Sequence, residues 1–326
     1  MTAGNLSEIV KIIRAARRVV LVTHTFPDGD ALGSQLGLGH ILQDMGKEVI
    51  LYGEEPISYL YEFLPCCARM VKEPPRLEVV DCAISLDCGD RFRLGKGEEQ
   101  LLKIKPFIAI DHHAGHQDFG DLRWVVEGRA STGDMVYDLS QLLGAEVSYE
   151  AAYCLYTAIV SDTGSFKYAS TTADTFRIAG ALLAKGVKPA EVSGKLFDNF
   201  TESRLQLLQV VLSTLEIYGD GRLAIISATK KMFDLTGADK ADTETFINYP
   251  RSLAKVRVAA LIKEIDGAIG VSMRSKGDDC DVAVVARKFN GGGHRNAAGC
   301  KFRDGETLHE VRDLIFAELL PLVHDK

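Results

Sequence analysis

The segment Val22-Thr-His-Thr-Phe-Pro-Asp-Gly-Asp-Ala-Leu-Gly-Ser34 decides how this chain folds and where its chemistry is expected. An apolar, β-branched run precedes it at 18–23 and a helical pattern follows at 31–45, so the segment stands at the carboxyl end of a predicted strand. Ligands of open α/β folds usually bind at that edge. A proline and a glycine break regular structure between the two elements. We therefore expect the turn to direct three side chains towards one point: His24, Asp28 and Asp30.

The residue types of this turn suit a divalent cation. Asp and His side chains together favour Mn²⁺ or a similar ion over a structural zinc site. The alternative is that Asp28 and Asp30 only stabilise a tight turn and cap the following helix, as acidic residues often do. Taken alone, the turn leaves both interpretations open.

Acidic and imidazole side chains follow further apolar runs along the chain. Asp87 follows the run 79–86, and Asp162 follows an apolar helical run at 151–160. A third group follows the run 106–110 and consists of Asp111, His112 and His113. Because the strand ends of one parallel sheet meet at one edge, we expect these side chains to lie close together. Their alignment is difficult to attribute to turn formation alone.

The first half of the chain predicts an α/β fold with a parallel sheet, because β-branched runs alternate with helical patterns. Strands are predicted at 18–23, 48–52, 79–86, 106–110 and 123–126, and helices at 31–45, 131–143 and 148–160. A helical pattern continues from 171 to about 215, and its break at 185–189 is the predicted domain junction.

The last third of the chain predicts a smaller α+β domain. Strands are predicted at 215–218, 222–227, 256–265, 268–273 and 282–286, and helices at 242–249 and 307–320. Residues 290–299 have the pattern of a glycine-rich loop that enters a short helix. Backbone N–H groups at such a junction bind anions readily, although a glycine-rich turn is by itself more often a plain loop.

Composition narrows the class of protein. With 326 residues, 46% of them hydrophobic and 25% charged, the chain suits two globular domains better than one. A net charge of −7 argues against binding to long duplex DNA, which needs many Lys and Arg contacts. Seven cysteines without a C-x-x-C pair favour reduced thiols in a cytoplasmic protein. The sequence shows neither a signal-peptide pattern nor an apolar run of ~18 residues, so no membrane partner is expected.

In chain order, five motifs together resemble the DHH phosphoesterases that carry a C-terminal DHHA1 domain. The motifs are His24-x3-Asp28-x-Asp30, Asp87-Cys88-Gly89-Asp90, Asp111-His112-His113, Ser161-Asp162-Thr163-Gly164 and Gly291-Gly292-Gly293-His294. Length and domain pairing are most similar to the bacterial nanoRNase and pAp-phosphatase branch, the bifunctional oligoribonucleases. The resemblance implies a parallel-sheet DHH catalytic domain at 1–187, a helical connector at 188–215 and an α+β DHHA1 substrate-binding domain at 216–326, with the active site in the cleft between the domains.

The resemblance also implies two divalent cations, of which Mn²⁺ is expected first and Mg²⁺ or Co²⁺ are alternatives. One ion would be held by His24, Asp28, Asp87 and Asp162. The other would be held by Asp30, Asp87 and His112. Asp87 would therefore bridge the two ions as a catalytic residue, and a shared carboxylate suits the separation of ~3.5 to 4 Å that two-metal phosphoryl chemistry uses.

Further residues are expected to act on the substrate. The resemblance places His113 against the substrate phosphate, although an imidazole that is merely hydrogen-bonded within the site is the alternative. Asp111 is expected to orient a metal-ligating His, because metal-bound imidazoles usually donate their other N–H to a carboxylate or carbonyl. Arg274 matches the arginine that the family uses on phosphate, with a solvated surface Arg as the alternative. The family's substrate-binding loop corresponds to Gly291, Gly292, Gly293 and His294.

The function that this resemblance implies is hydrolysis of short 5'-phosphorylated oligoribonucleotides to mononucleotides, together with dephosphorylation of pAp to AMP. Enzymatic alternatives are a pApA phosphodiesterase of cyclic-di-AMP turnover and a single-strand exonuclease of the RecJ type. A family-II inorganic pyrophosphatase would lack the Gly-Gly-Gly-His loop. A catalytically inactive nucleotide sensor is the alternative outside the enzymes. Short RNA or a small nucleotide is thus the expected partner, and a homodimer is compatible with the sequence.

Overall fold

The carboxyl ends of the parallel strands in the first unit build the edge on which the predicted metal-site residues lie. The structure, a computed structural model, describes residues 3–277, 279–303 and 305–324, and it divides into two units, Met1–Asn199 and Phe200–Lys326. The described sheet of the first unit has the order β2-β1-β3-β4-β5, and each neighbouring pair is parallel. Its strands are β1 (Arg18–Val22), β2 (Glu48–Tyr52), β3 (Cys82–Leu86), β4 (Phe107–Asp111) and β5 (Leu122–Val125).

The order of this sheet reverses between β1 and β3. From β1 the chain crosses to β2 on one side and then returns to β3 on the other side. Such a reversal opens a crevice at the carboxyl ends of the two central strands, where open α/β sheets bind their ligands. β3 and β4 are buried at every residue, so both faces of the central sheet are covered.

The helices of the first unit are α1 (Ala3–Ala15), α2 (Gly29–Asp44), α3 (Glu98–Leu101), α4 (Thr132–Leu143), α5 (Tyr149–Asp162), α6 (Ala173–Leu183) and α7 (Pro189–Phe197). Short 3-10 helices lie at Tyr59–Tyr61, Cys67–Arg69, Leu77–Val79 and Arg91–Leu94.

Close packing of α2 on α5 brings the start of one helix to the end of the other. Gly29, Gly33 and Gly37 recur every four residues and therefore share one face of α2. A Cβ atom added at Gly33 would lie 2.5 Å from the carbonyl oxygen of Cys154 in α5, so the two backbones approach to a distance that a side chain would prevent. The first turn of α2, with Asp30, consequently lies beside the last residue of α5, Asp162.

The second unit has a mixed sheet whose described order is β10-β11-β9-β8-β7-β6. Its strands are β6 (Glu216–Tyr218), β7 (Leu223–Ala228), β8 (Val258–Ile265), β9 (Ala268–Ser275), β10 (Gly292–His294) and β11 (Ala297–Phe302). Its helices are α8 (Glu202–Leu212), α9 (Lys230–Thr236), α10 (Asn248–Ser252), α11 (Val282–Lys288) and α12 (Leu308–His324), with a 3-10 helix at Lys240–Thr243. Only β7 and β8 pair in parallel among these strands as described, and separate apolar cores lie on the two faces.

The predicted fold class is confirmed, with a parallel-sheet α/β unit followed by a smaller α+β unit. The predicted strands of the first half begin and end within a few residues of β1 to β5. Helix α7 lies in the first unit and α8 in the second, whereas the predicted domain bounds at 187 and 216 stay predictions. No helix within the described ranges combines the length and the apolar character needed to cross a membrane. All seven cysteines, each inside the described ranges, are free thiols.

Three element predictions in the second unit are wrong. Residues 282–286 form the start of α11 instead of a strand, because Asp281 caps the helix by accepting from the N–H groups of Ala283 and Val284. Residues 290–299 enter the hairpin β10–β11 instead of a short helix. The helix predicted at 242–249 is divided into a 3-10 helix and α10, with a left-handed backbone (φ 73°) at Thr245 between them.

Candidate metal centre

The residues predicted from the first half of the sequence converge on one edge of the parallel sheet. His24 lies two residues beyond β1, and Asp87 follows β3 directly. Asp111 ends β4, so His112 and His113 leave the sheet beside it. Ligand atoms lie within 4.8 Å of one another in three groups of the first unit: His24, Asp28 and Asp87; Asp30, Asp87 and His112; and Asp87, Asp111 and His113. Asp87 belongs to all three groups and is therefore the centre of the arrangement.

The ring of His112 faces three carboxylates. Its Nε2 atom lies 3.4 Å from Asp30 Oδ2, 3.4 Å from Asp87 Oδ1 and 3.5 Å from Asp162 Oδ2. On the opposite side of the ring, Nδ1 lies 3.0 Å from the carbonyl oxygen of Arg129. Because a carbonyl only accepts, Nδ1 carries the proton in this contact. In the neutral ring the lone pair of Nε2 then points at the carboxylates.

Both oxygens of Asp30 are held by hydrogen bonds. Oδ1 accepts from the hydroxyl of Ser34 at 2.9 Å and from the N–H of Gly133 at 3.0 Å, and Oδ2 accepts from the N–H of Thr132 at 2.8 Å. The Thr132 hydroxyl also donates to Asp87 Oδ1 at 3.0 Å. The first residues of α4 therefore fix two carboxylates at once, as the exposed N–H groups at a helix N-terminus commonly do for anions.

Asp28 serves as the N-cap of α2. Its Oδ1 atom accepts from the N–H groups of Asp30 and Ala31, each at 3.1 Å. The capping role that the sequence suggested as an alternative is thus present. The same carboxylate nevertheless offers an oxygen within 4.8 Å of ligand atoms of His24 and Asp87, so capping does not remove it from the group.

His24 stands on the other side of Asp87 from His112. Its Nε2 atom lies 3.8 Å from Asp87 Oδ2, while Nδ1 lies 2.9 Å from the carbonyl oxygen of Thr25 and 2.8 Å from Arg93 Nη2. The carbonyl requires a proton on Nδ1, whereas the guanidinium requires a lone pair there. Only the pairing with Thr25 leaves the lone pair on Nε2, the nitrogen that faces Asp87.

Asp111 orients the ring of His113. Its Oδ1 atom lies 2.8 Å from His113 Nδ1 and accepts from the backbone N–H of His112 at 2.9 Å. The ring of His112 is oriented by Arg129 instead. Burial lowers the pKa of His113, but the charge of Asp111 and the hydrogen bond to it outweigh burial and raise that pKa above its ordinary value. A charged imidazole suits contact with a phosphate.

Negative charge exceeds positive charge at the centre of this edge. Burial raises the pKa of Asp30 well above its usual range, and it raises the pKa of Asp162 to about 6. Burial would also raise the pKa of Asp87, but the hydrogen bond from His112 and the neighbouring imidazole charges lower it. The charges of the surrounding carboxylates raise the pKa of His112 against the effect of burial. A divalent cation would supply the positive charge that Asp30 and Asp162 otherwise gain by binding protons, so the donor set fits a metal ion.

The predicted substrate residues of the second unit lie on neighbouring strands of its sheet. Arg274 in β9 pairs with Ala297 in β11, which in turn pairs with His294 in β10. Directly paired residues place their side chains on the same face, so Arg274 and His294 share one face with one strand between them. A Cβ atom at Gly293, whose φ is 130°, would lie 2.4 Å from the carbonyl oxygen of Ala297. The tight hairpin therefore requires glycine.

Sequence reasoning missed the segment 129–134, which contacts Asp30, Asp87 and His112. Its hydrogen bonds come from a carbonyl, two backbone N–H groups and a hydroxyl, and none of these has a characteristic residue pattern. The available signal was Ser131, whose side chain caps α4 by accepting from the N–H of Asp134. A capped helix that starts just after the β5 strand end would have indicated an anion-binding helix terminus.

Comparison with known proteins gives one consistent result. Residues 18–159 match the N-terminal domain of the DHH family, and residues 228–319 match the DHHA1 domain. The bifunctional oligoribonuclease and PAP phosphatase of Thermus thermophilus is 32% identical over 91% of this chain and 87% of that protein. A probable enzyme of the same name from Streptococcus mutans is 31% identical over 97% of this chain and 98% of its own length. An exopolyphosphatase-related protein from Bacteroides fragilis has a crystal structure with a TM-score of 0.90, at 30% identity over 99% of this chain and 98% of that one.

Proposed function

The chain belongs to the DHH family and carries a DHHA1 domain, and from that premise we propose that it is a metal-dependent phosphoesterase of short RNA and pAp. Its substrates are 5'-phosphorylated oligoribonucleotides of a few residues, which it hydrolyses to mononucleotides, and pAp, which it converts to AMP. The observation that carries this proposal is the position of His112 Nε2, within 3.5 Å of three carboxylates from three different elements. Relatives named for both activities align with nearly the whole chain.

We assign two metal positions that share Asp87. His24, Asp28, Asp87 and Asp162 would hold one divalent ion, and Asp30, Asp87 and His112 would hold the other. The mixture of carboxylate and imidazole ligands favours Mn²⁺, with Mg²⁺ and Co²⁺ as alternatives. When bound, such a pair supplies a metal-activated water at neutral pH and stabilises charge on the phosphoryl oxygens.

Side chains and backbone N–H groups of the first unit keep these ligands in position. Ser34, Thr132 and Gly133 hold the Asp30 carboxylate from three directions, so it reaches an ion without losing rotamer entropy on binding. His113, charged beside Asp111, donates to a phosphate oxygen of the substrate. Asp111 is thus a positioning residue for that contact.

In the second unit, Arg274 and the hairpin at Gly291, Gly292, Gly293 and His294 bind the substrate. The guanidinium of Arg274 engages a phosphate through two hydrogen bonds, which Lys does not reproduce. Because the glycines of the hairpin carry no side chain, a phosphate can approach the backbone closely beside His294. The N–H of Gly291 itself donates to the carbonyl oxygen of Ala286.

Turnover of two substrates tests the proposal. Purified full-length chain is incubated with Mn²⁺ and either pAp or 5'-labelled ribonucleotides of two to five residues, and AMP, phosphate and mononucleotides are quantified. Release of product from both substrates, abolished by chelation with EDTA, is expected. Absence of product from every substrate would instead support a nucleotide sensor.

The same assay separates the enzymatic alternatives. A chain that cleaves pApA but neither pAp nor other short oligoribonucleotides would be a cyclic-di-AMP pathway enzyme. Faster digestion of a 5'-labelled strand of about 24 residues than of a dinucleotide would indicate an exonuclease of the RecJ type. The proposal requires the opposite order, with the rate decreasing as the strand becomes longer.

A further inference from the structure

The peptide unit between Arg129 and Ala130 connects the candidate metal centre to a buried acidic side chain. The carbonyl oxygen of this peptide lies 3.0 Å from Nδ1 of His112. The N–H of the same peptide, on Ala130, donates to Asp134 Oδ2 at 3.3 Å. Because the N–H and the carbonyl belong to one planar peptide unit, a hydrogen bond that fixes the direction of the N–H also fixes the direction of the carbonyl.

Asp134 holds this peptide from two sides. Its side chain is 3% exposed, and Oδ1 accepts from Arg129 Nε at 2.8 Å while Oδ2 accepts from the peptide N–H. The N–H of Asp134 itself donates to Ser131 Oγ at 3.1 Å, which fixes the residue in the first turn of α4. One buried carboxylate therefore accepts hydrogen bonds both from the side chain of Arg129 and from the peptide that follows it.

The orientation of this carbonyl decides which nitrogen of His112 is available to a metal. The carboxylates of Asp30, Asp87 and Asp162 surround Nε2 and would accept a hydrogen bond from a proton on that nitrogen, which favours the tautomer protonated at Nε2. A proton on Nε2 blocks coordination there. The carbonyl of Arg129 opposes this effect, because it accepts a hydrogen bond from a proton on Nδ1 and so favours the tautomer protonated there. It can do so only while the peptide plane keeps its present direction.

We propose that Asp134, acting through the Arg129–Ala130 peptide, is a positioning residue that keeps the Nδ1 proton of His112 in place and leaves Nε2 to the metal. The inference rests on the metal-binding role proposed above for His112. It assigns a function to the ion pair of Arg129 and Asp134, neither of which is a proposed metal ligand. Partners that orient a ligating imidazole typically change metal affinity by 10- to 100-fold when they are removed.

Asp138 provides a matched control for Asp134. It also contacts Arg129, with its Oδ2 atom 2.8 Å from Nη2, and it lies on the same helix one turn further on. Within the described residues, however, the Asp138 carboxylate pairs with the guanidinium groups of Arg129 and Arg177, and no peptide N–H donates to it. Asp138→Asn therefore removes a charge beside Arg129 without releasing the peptide.

The experiment compares Asp134→Asn and Asp138→Asn in the full chain by two readouts. The first is the Mn²⁺ dissociation constant, measured by titration calorimetry. The second is the ring Nδ1–H resonance of His112 in the metal-free, ¹⁵N-labelled protein, assigned by its absence from His112→Gln. We expect Asp134→Asn to weaken Mn²⁺ binding by about 10- to 100-fold and to lose the slowly exchanging Nδ1–H signal. Asp138→Asn should change neither.

Three results would overturn the inference. A folded Asp134→Asn protein that keeps both the resonance and the Mn²⁺ affinity would remove Asp134 from this role, and equal losses in Asp138→Asn would point to a general effect of charge. If Asp134→Asn does not fold, Asp134→Glu, which displaces the carboxylate from the Ala130 N–H by one methylene, is measured in the same way, and unchanged readouts there also overturn the inference. A wild-type chain that binds no Mn²⁺ would refute the proposed function instead, because the Nδ1–H comparison needs no metal.

Discussion

At the scale of the residue, Asp87 combines an unusual backbone with several partners. Its φ of 56° lies in the left-handed region that few residues other than glycine adopt, and its N–H donates to the carbonyl of Ile110. This turn directs the carboxylate between His24 and His112, while the hydroxyl of Thr132 holds one oxygen. Strain of this kind persists where the surrounding structure over-determines it, commonly at functional sites.

Replacing Asp87 tests the assignment of the shared ligand. Asp87→Asn keeps the volume of the side chain but removes its charge and one of the two oxygens needed to bridge two ions, so hydrolysis of pAp and of dinucleotides should both fall by more than about 100-fold. The measurement is kcat/KM at saturating Mn²⁺ for both substrates. Thermal unfolding of the variant serves as the control for folding. An undiminished rate on either substrate would remove Asp87 from the bridging position.

The pKa of Asp162 gives a prediction about pH. Burial raises that pKa to about 6, so the folded chain binds a proton more tightly than the unfolded chain does. This group therefore stabilises the folded chain fully at a pH below the ordinary pKa of an Asp. The stabilisation is lost as the pH rises through about 6. In the metal-free protein, Asp162→Asn should become more stable relative to the wild type as the pH increases from 5 to 7.5.

With saturating Mn²⁺ at pH 7.5, the wild type should instead be more stable than Asp162→Asn, since the variant lacks a proposed ligand and is stabilised less by the metal. Chemical denaturation with and without Mn²⁺ at both pH values measures the four differences. A stability difference between the two proteins that is independent of both pH and metal would contradict the position of Asp162 at the centre.

Single residues could be predicted from the sequence wherever they follow an apolar strand. His24, Asp87 and Asp111 were found in this way because the end of a strand is visible as a change in residue pattern. Thr132 was missed since the carboxylate that it contacts, on Asp87, is 45 residues away. Asp134 was missed since it reaches the site through a backbone peptide, at the N–H of Ala130. Such contacts depend on how elements pack, which a local pattern does not contain.

At the scale of the element, the packing of α2 on α5 sets the distance between two groups of proposed ligands. Asp28 and Asp30 belong to the start of α2, and Asp162 ends α5. Glycine at position 33 permits the close approach, since the nearest atom to an added Cβ is a backbone oxygen. A backbone atom yields less readily than the end of a flexible side chain.

Gly33→Ala should consequently lower both stability and metal affinity. Overpacking of this kind typically costs about 1 to 3 kcal/mol in the free energy of unfolding, and displacement of the helix end should weaken Mn²⁺ binding. Gly180→Ala in α6 is the matched control, because a Cβ atom there meets nothing within 4 Å. The control should raise stability by up to about 1 kcal/mol, as alanine does in an exposed helix. Equal effects of the two substitutions in a denaturation series would contradict this account of the packing.

The elements of the first unit could be predicted because a parallel sheet buries whole strands and leaves a clear apolar signal. In α11 the signal is ambiguous: Val282, Val285 and Ala286 are buried, while Val284 is 42% exposed. Burial at positions i, i+3 and i+4 indicates a helix, but four consecutive small or β-branched residues also suit a strand. The capping aspartate and the core around α12 decide the outcome, and only the first of these is local in sequence.

At the scale of the whole molecule, two units of different fold follow one another along the chain. The sequence predicted this division from a change in pattern, although the positions of its bounds depend on which unit each connecting helix packs against. The chain as a whole is acidic, with a net charge of −7 and a pI near 5.7. We therefore expect affinity for substrate to come from local contacts at the proposed metal ions and a few basic groups.

This charge predicts a weak dependence of substrate binding on salt. A protein with many phosphate contacts loses about 10³- to 10⁵-fold in affinity between 50 and 200 mM salt, whereas one or two contacts give a loss below about tenfold. We expect the KM for a trinucleotide to rise by less than about tenfold over this range at saturating Mn²⁺. A rise of 100-fold or more would reveal an extended basic surface and favour longer strands as substrates.

The central claim is that side chains beyond the ends of β1, β3 and β4, at the start of α2 and at the end of α5 gather around a pair of divalent ions. Anomalous diffraction at the manganese edge, from crystals of the full chain grown with Mn²⁺, tests it most directly. The account predicts two peaks separated by ~3.5 to 4 Å, with Asp87 bound to both. The first should also contact His24, Asp28 and Asp162, and the second Asp30 and His112. Absence of manganese from this edge, or Asp28, Asp87 and Asp162 directed to separate surfaces, would contradict the account.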